Sequence, residues 1–265
     1  MTCRGFWFLV CLAMLPVFKL SNGPIPLLAF HGIGQDHRVF EPLARALEGR
    51  YALYAFDLFF HGTQPPDVTD DVLTKPAYQQ IIQAFLNQHQ IERFAVIGFS
   101  MGGRFALATA EAFSSQLDEL ILLAPDGITI SPWYRIATDS RLGRWLFRYL
   151  LKHTPVLHRL GQFFLSIGLI NRSALKFAEN TLATAEQQQS VYNSWVYFRN
   201  LRFNHRSLSA LFNQQSMRIR FFVGYFDQIL PTSFLTPLTR RLQSYELTVL
   251  KTGHNRLIEK VAKLL

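Results

Sequence analysis

The sequence predicts an α/β fold, a mainly parallel sheet flanked by helices with a helical insertion late in the chain. Three observations carry that expectation. Short apolar runs at residues 25–30, at about Tyr51 and at 94–97 have the length and composition of buried strands. Segments at helical spacing, residues 43–47, 78–86 and 104–112, lie between or after them, as crossover helices of a parallel sheet would. With 265 residues, 49% of them hydrophobic, the chain can bury one sizeable α/β core and still carry an insertion.

The stretch Gly98-Phe99-Ser100-Met101-Gly102 joins the third of these strands to the helix that follows. A serine on so sharp a strand-to-helix turn sits in strained backbone, and Gly98 and Gly102 let the flanking chain approach closely. Its hydroxyl projects above the sheet, with a helix N-terminus behind it that favours negative charge. Upstream, residues 25–30 run into His31-Gly32-Ile33-Gly34. Downstream, Phe221-Phe222-Val223-Gly224 leads to Asp227, and the run 246–250 ends at Gly253-His254.

Those motifs, in the order Ser100, Asp227, His254, resemble the α/β-hydrolase family of lidded esterases, lipases and carbon–carbon hydrolases. The resemblance covers residues 24–125 and 218–265. It also takes in Asp57-Leu58-Phe59-Phe60-His61-Gly62, similar to a D-x-x-G-H-G turn of that family with Phe60 in place of a glycine. The resemblance implies Ser100 as nucleophile, His254 as base and Asp227 as the acid that orients it. It implies an oxyanion hole built from the backbone N–H groups of Met101 and Ile33. Asp126, after the strand at 120–123, is the alternative acid. His31 and His61 are expected to hold loops, and the remaining histidines to be surface or packing residues. A serine at the elbow argues against dehalogenase or epoxide hydrolase chemistry, which places an aspartate there.

These residue types suit acyl transfer. A neutral hydroxyl is a poor nucleophile at pH 7, so a histidine must take its proton as attack begins. An aspartate fixes the imidazole tautomer and stabilises the imidazolium. Preorganised N–H donors then meet the oxyanion, each contributing on the order of 3 kcal/mol. No cofactor is needed, and none of the common nucleotide- or zinc-binding patterns occurs in the chain.

The expected organisation is an uncertain apolar segment at 1–23, a first core half at 24–125, a helical cap at 126–217 and a second core half at 218–265. The cap is expected between the sixth and seventh family strands. It holds eleven Lys or Arg against four Asp or Glu, most of the formal charge of +9. Residues 133–170 mix Arg141, Arg144 and Arg148 with Trp145, Leu146 and Tyr149 at near-helical spacing. Either the basic face is simply solvated, or it touches anionic lipid and guides acidic amphiphiles. No nucleic-acid-binding motif accompanies the charge.

The run 6–18 is short for a membrane span and is broken by Pro16. A signal peptide, an anchor, or core packing cut short at its start remain the alternatives, so the chain is expected in the cytoplasm, at a membrane, or exported. Both cysteines, Cys3 and Cys11, fall there, so the enzyme body has neither a disulfide nor a thiol nucleophile.

The 24 phenylalanines and the apolar cap favour hydrolysis of an ester with an apolar, lipid-like acyl group. Carbon–carbon or thioester hydrolysis on the same three residues is the alternative within enzymes. A ligand receptor that keeps the fold is the alternative outside them. Oligomeric state is left open by the residues alone.

Overall fold

The structure, a computed structural model, describes residues 15–62, 72–170 and 172–265. Most of the apolar segment at 1–23, including both cysteines, lies outside the described residues. Its last part does not: Leu15 is buried in the core, and β1 (Val17–Lys19) pairs antiparallel with β3 (Tyr51–Phe56). The chain order up to the elbow is β1, β2 (Ile25–Phe30), α1 (Glu41–Leu47), β3, α2 (Lys75–Gln88), β4 (Phe94–Phe99) and α3 (Gly102–Ala112). Then come β5 (Leu117–Leu123) and six helices: α4 (Pro132–Thr138), α5 (Arg141–Lys152), α6 (Thr154–Ser166), α7 (Arg172–Thr181), α8 (Ala185–Tyr197) and α9 (His205–Asn213). The chain closes with β6 (Arg218–Gly224), α10 (Thr236–Thr239), β7 (Glu246–Leu250) and α11 (Leu257–Val261). No helix among the described residues is long and apolar enough to cross a membrane.

The seven strands lie in the order β1-β3-β2-β4-β5-β6-β7, all parallel except β1. Residues alternate between the two faces along each strand, as a pleated sheet requires. Leu28, Phe30, Val96, Leu120 and Leu122 face a core shared with α2, α3, α9 and α10. Leu27, Ala29, Ala95, Ile97 and Ile121 face a second core against α1 and α11. Both faces are covered, which is why these strands read as continuous apolar runs.

Strand order reverses between β2 and β4, which pair directly in register Phe30 to Gly98. The loops leaving their carboxyl ends therefore lie side by side, and in open α/β sheets such a crevice is where ligands bind. Ser100 and the His31 loop are these two loops.

The six-helix insertion falls within 126–217, but it joins the fifth and sixth strands of this sheet rather than a sixth and seventh. The described residues hold one strand before β2, so the strand count runs one below the family's. The family turn at 57–62 is kept, with Phe60 in the left-handed region at φ +66°. That conformation costs a non-glycine residue roughly 1 kcal/mol or more. The insertion compensates. The Phe60 ring packs edge-on against Tyr197, its centroid 5.3 Å away, and its carbonyl accepts a 2.7 Å bond from Ser190 Oγ.

Candidate active site

The elbow is built by contacts that only small residues permit. Ser100 has φ +53°, and its N–H donates to the Leu123 carbonyl at 3.0 Å. A Cβ on Gly102 would lie 1.9 Å from the Phe30 carbonyl oxygen. One on Gly98 would lie 2.5 Å from the Gly102 carbonyl oxygen. No side chain fits at either position, so strand, turn and helix close on one another around the serine.

His254, just after β7, places Nε2 2.9 Å from Ser100 Oγ. Its Nδ1 lies 2.6 Å from Asp227 Oδ2. The other oxygen of Asp227 accepts the N–H groups of Ile229 at 2.9 Å and Leu230 at 3.0 Å, so the carboxylate is held from three sides. With a carboxylate on Nδ1, the network assigns the proton there and leaves Nε2 to accept from the serine. All three side chains are buried. Phe99 and Phe177 flank the imidazole, with ring centroids at 5.0 and 6.1 Å, the second reaching down from the insertion.

The alternative acid is occupied elsewhere. Asp126 Oδ2 accepts from Arg104 Nε at 2.6 Å, and Oδ1 accepts the Gly127 N–H at 2.7 Å. Its backbone matters nonetheless, because the Asp126 N–H donates to the Ser100 carbonyl at 2.8 Å.

The His31 loop is fixed above the elbow by its own imidazole. Nε2 accepts the Leu58 N–H at 3.0 Å, so Nδ1 carries the proton donated to the Gly32 carbonyl at 2.7 Å. Burial, with the neighbouring His61, holds the His31 pKa down to about 3. The Gly32 N–H donates to Gln35 Oε1 at 3.0 Å, and a Cβ on Gly32 would meet Ser100 Cβ at 3.2 Å. Ile33 and Met101, whose N–H groups are the expected oxyanion donors, line the same cavity as Ser100.

That cavity has a volume of about 470 Å³. Phe147, Leu151, Leu157, Phe177, Leu182 and Trp195 of the insertion roof it, and Leu230 and Phe234 close one side. Its lining is overwhelmingly apolar. Polar residues of the lining that escaped the reading of the sequence include Arg104 on α3 and Ser194 on α8, besides Thr129, Ser131, Tyr134 and Thr181. Arg104 had a signal: it is a charge in the first turn of the mostly apolar helix that follows the elbow, where the other charge, Glu111, lies at the far end. Ser194 had none.

The outer surface of the insertion differs from expectation. Arg144 Nη1 donates to the Thr138 carbonyl at 2.8 Å, and the Arg148 guanidinium lies over the Tyr192 ring at 4.5 Å. The exposed stripe of α5 is instead Leu142, Trp145, Leu146 and Tyr149, at spacings of three, four and seven residues.

A model of the alpha/beta hydrolase fold matches residues 25–261. The chain belongs to the α/β-hydrolase family. An sn-1-specific diacylglycerol lipase of Xenopus tropicalis is 37% identical over 174 residues, 64% of this chain and 48% of that protein. An esterase of Escherichia coli is 31% identical over 103 residues, 39% of each chain. The matched stretches span between 32% and 48% of the curated relatives' own lengths. Among solved α/β-hydrolase structures, a thermophilic esterase from Thermogutta terrifontis superposes with a TM-score of 0.63 at 19% identity, covering 94% of this chain and 89% of that one.

Proposed function

We propose that the protein is a serine hydrolase that cleaves carboxylic esters with an apolar acyl group through an acyl-enzyme on Ser100. The observation that carries this is the continuous relay from Asp227 Oδ2 to His254 (2.6 Å) to Ser100 Oγ (2.9 Å), opening into an apolar cavity. As Ser100 Oγ attacks the ester carbonyl, its proton passes to His254 Nε2, and Asp227 stabilises the imidazolium. The tetrahedral oxyanion is received by the N–H groups of Met101 and Ile33. Collapse breaks the bond to the alkoxide, which takes the proton from Nε2. Water, deprotonated by the same nitrogen, then releases the acid. The resemblance to a diacylglycerol lipase and an esterase supports a lipid-like ester over a polar one. A fluorophosphonate probe, with its adduct mapped by peptide mass, tests the nucleophile. A chain-length series of p-nitrophenyl esters tests the acyl preference, and a flat or falling response beyond acetate would overturn it.

The cap would bring this site to an anionic lipid surface. Leu142 and Trp145 are 73% and 63% exposed, and Trp133 and Ile136 of α4 and Phe163 of α6 are exposed beside them. Arg135, Arg141, Lys152 and Arg159 are exposed on the same three helices. Apolar side chains that insert, with cations around them, are the recognition chemistry of an interfacial helix.

A further inference from the structure

A buried arginine on the helix that follows the nucleophile is costly unless its charge is paired and its donors are used. The Arg104 side chain is 3% exposed, and its Nε donates to Asp126. The guanidinium lies over the Tyr134 ring at 4.3 Å, and a Cβ on Gly127 would come within 2.7 Å of Arg104 Cγ. The side chain is therefore clamped from several directions. Burial opposes its charge, but Asp126 and Tyr134 beside it hold its pKa above the ordinary arginine value. Its Nη1 is buried and makes no hydrogen bond within the protein. The hydroxyl of Ser194 is in the same state, buried without a partner. Both residues line the cavity over Ser100, and Tyr134 connects them, since its hydroxyl donates to the carbonyl of Trp195, next to Ser194, at 2.8 Å.

Buried polar groups in native proteins are almost always satisfied, so two orphans on residues lining one mostly apolar cavity point to a ligand atom. We infer that Arg104 Nη1 and Ser194 Oγ form a polar subsite for an uncharged oxygen of the substrate, a hydroxyl or carbonyl carried in addition to the scissile ester. This rests on the ester hydrolase reading above. Charge decides against a carboxylate. Arg104 is already neutralised by Asp126, so a second carboxylate would leave the pocket with an uncompensated negative charge in apolar surroundings. A neutral acceptor receives the Nη1 proton, and the Ser194 hydroxyl rotates to donate to it or accept from it.

The subsite's place relative to the nucleophile is fixed. Arg104 is one helical turn beyond Ser100, and the Asp126 loop is tied to the Ser100 carbonyl by the 2.8 Å backbone bond. A bound oxygen would thus set how far the substrate enters relative to Ser100 Oγ. A site built to hydrogen-bond an oxygen rejects the analogue that lacks it, because its own groups are then left unpaired.

The test compares p-nitrophenyl octanoate with its hydroxy- and oxo-substituted isomers, the substituent walked along the chain, and with the octanedioate monoester. One or two neighbouring hydroxy or oxo isomers should exceed the parent in kcat/KM by about tenfold, and the carboxylate should not. Ser194→Ala should erase most of that ratio. Arg104→Met combined with Asp126→Leu should erase it as well, and this pair replaces the ion pair by apolar groups so that no buried charge is stranded. A wild-type protein that hydrolyses every isomer alike, or a Ser194→Ala variant that keeps the full ratio, overturns the subsite while the hydrolase reading stands. No turnover of any ester and no probe adduct at Ser100 would overturn the hydrolase reading, and the subsite with it.

Discussion

Arg104 and Asp126 are locked in a 2.6 Å ion pair, and this pair separates the two carboxylates that follow strands near Ser100. Asp126 spends both oxygens on Arg104 and Gly127, whereas Asp227 turns one toward His254. Asp227→Asn should therefore lower kcat by about 10⁴-fold, since the amide cannot hold the required tautomer. Asp126→Asn should cost stability, because breaking one half of a buried pair leaves the guanidinium uncompensated, while kcat on a simple acetate ester falls far less. Urea melts and steady-state rates on both variants check the ranking, and the reverse order would move the acid to Asp126.

Ser100→Ala should abolish probe labelling and turnover while the fold, followed by circular dichroism, persists. Ser100→Gly should do the same and also melt higher than the alanine variant. The reason is the φ of +53°, where Ala keeps the Cβ that makes the turn strained and Gly removes it. A difference of roughly 1 kcal/mol, offset in part by the flexibility of glycine in the unfolded chain, is expected. Equal melting temperatures would show that the elbow stores no strain at this residue.

His31 predicts a distinct acid sensitivity. Its folded pKa of about 3 lies below the ordinary 6.5, so between these values the unfolded chain binds the extra proton. The stability from this residue is then complete above about pH 6.5 and is lost as pH falls toward 3, roughly 5 kcal/mol in all. Burial is the chief cause. His61 and His37 act in the same direction and Asp36 against it, and protonating Nε2 would also oppose the Leu58 N–H donor. Unfolding free energies measured from pH 4 to 6.5 should rise with pH more steeply in the wild type than in His31→Gln, where the residue no longer titrates. Matching slopes would contradict the assignment.

Much of this site was legible because its residues are constrained locally. Gly98 and Gly102 are dictated by backbone approach, and the histidine and aspartate follow strand ends in the family's order. Strand ends were harder to read. β5 begins at Leu117 rather than near Leu120, and Asp118 and Glu119 disguise it. Glu119 is buried because it accepts from the Tyr51 hydroxyl at 2.8 Å and from Arg220 at 3.3 Å, partners 68 and 101 residues away. The face of α5 was illegible for a similar reason. Periodicity finds both a basic and an apolar stripe, and which one turns inward depends on the Thr138 carbonyl and the Tyr192 ring, which no local pattern reveals.

That inverted helix gives the last prediction. The basic residues 144 and 148 are engaged within the cap, so replacing them tests packing more than lipid contact. The informative change is Leu142→Gln with Trp145→Gln, which removes two exposed apolar groups from the outer stripe, neither of which lines the cavity. A fully inserted side chain of this size gains about 1.5–3 kcal/mol from leaving water. Partial insertion of two should still shift vesicle partitioning by tenfold or more. Wild-type binding should rise with the anionic lipid fraction and weaken with salt, since each cation near the surface contributes about 1 kcal/mol, screened over about 8 Å. The variant should lose binding to both lipid compositions and activity on dispersed lipid, yet hydrolyse a soluble short ester at the wild-type rate. Equally slight sedimentation of wild-type protein with neutral and anionic vesicles at low salt would leave α5 as a pocket cover only, and the lipid-facing role of the cap would fall.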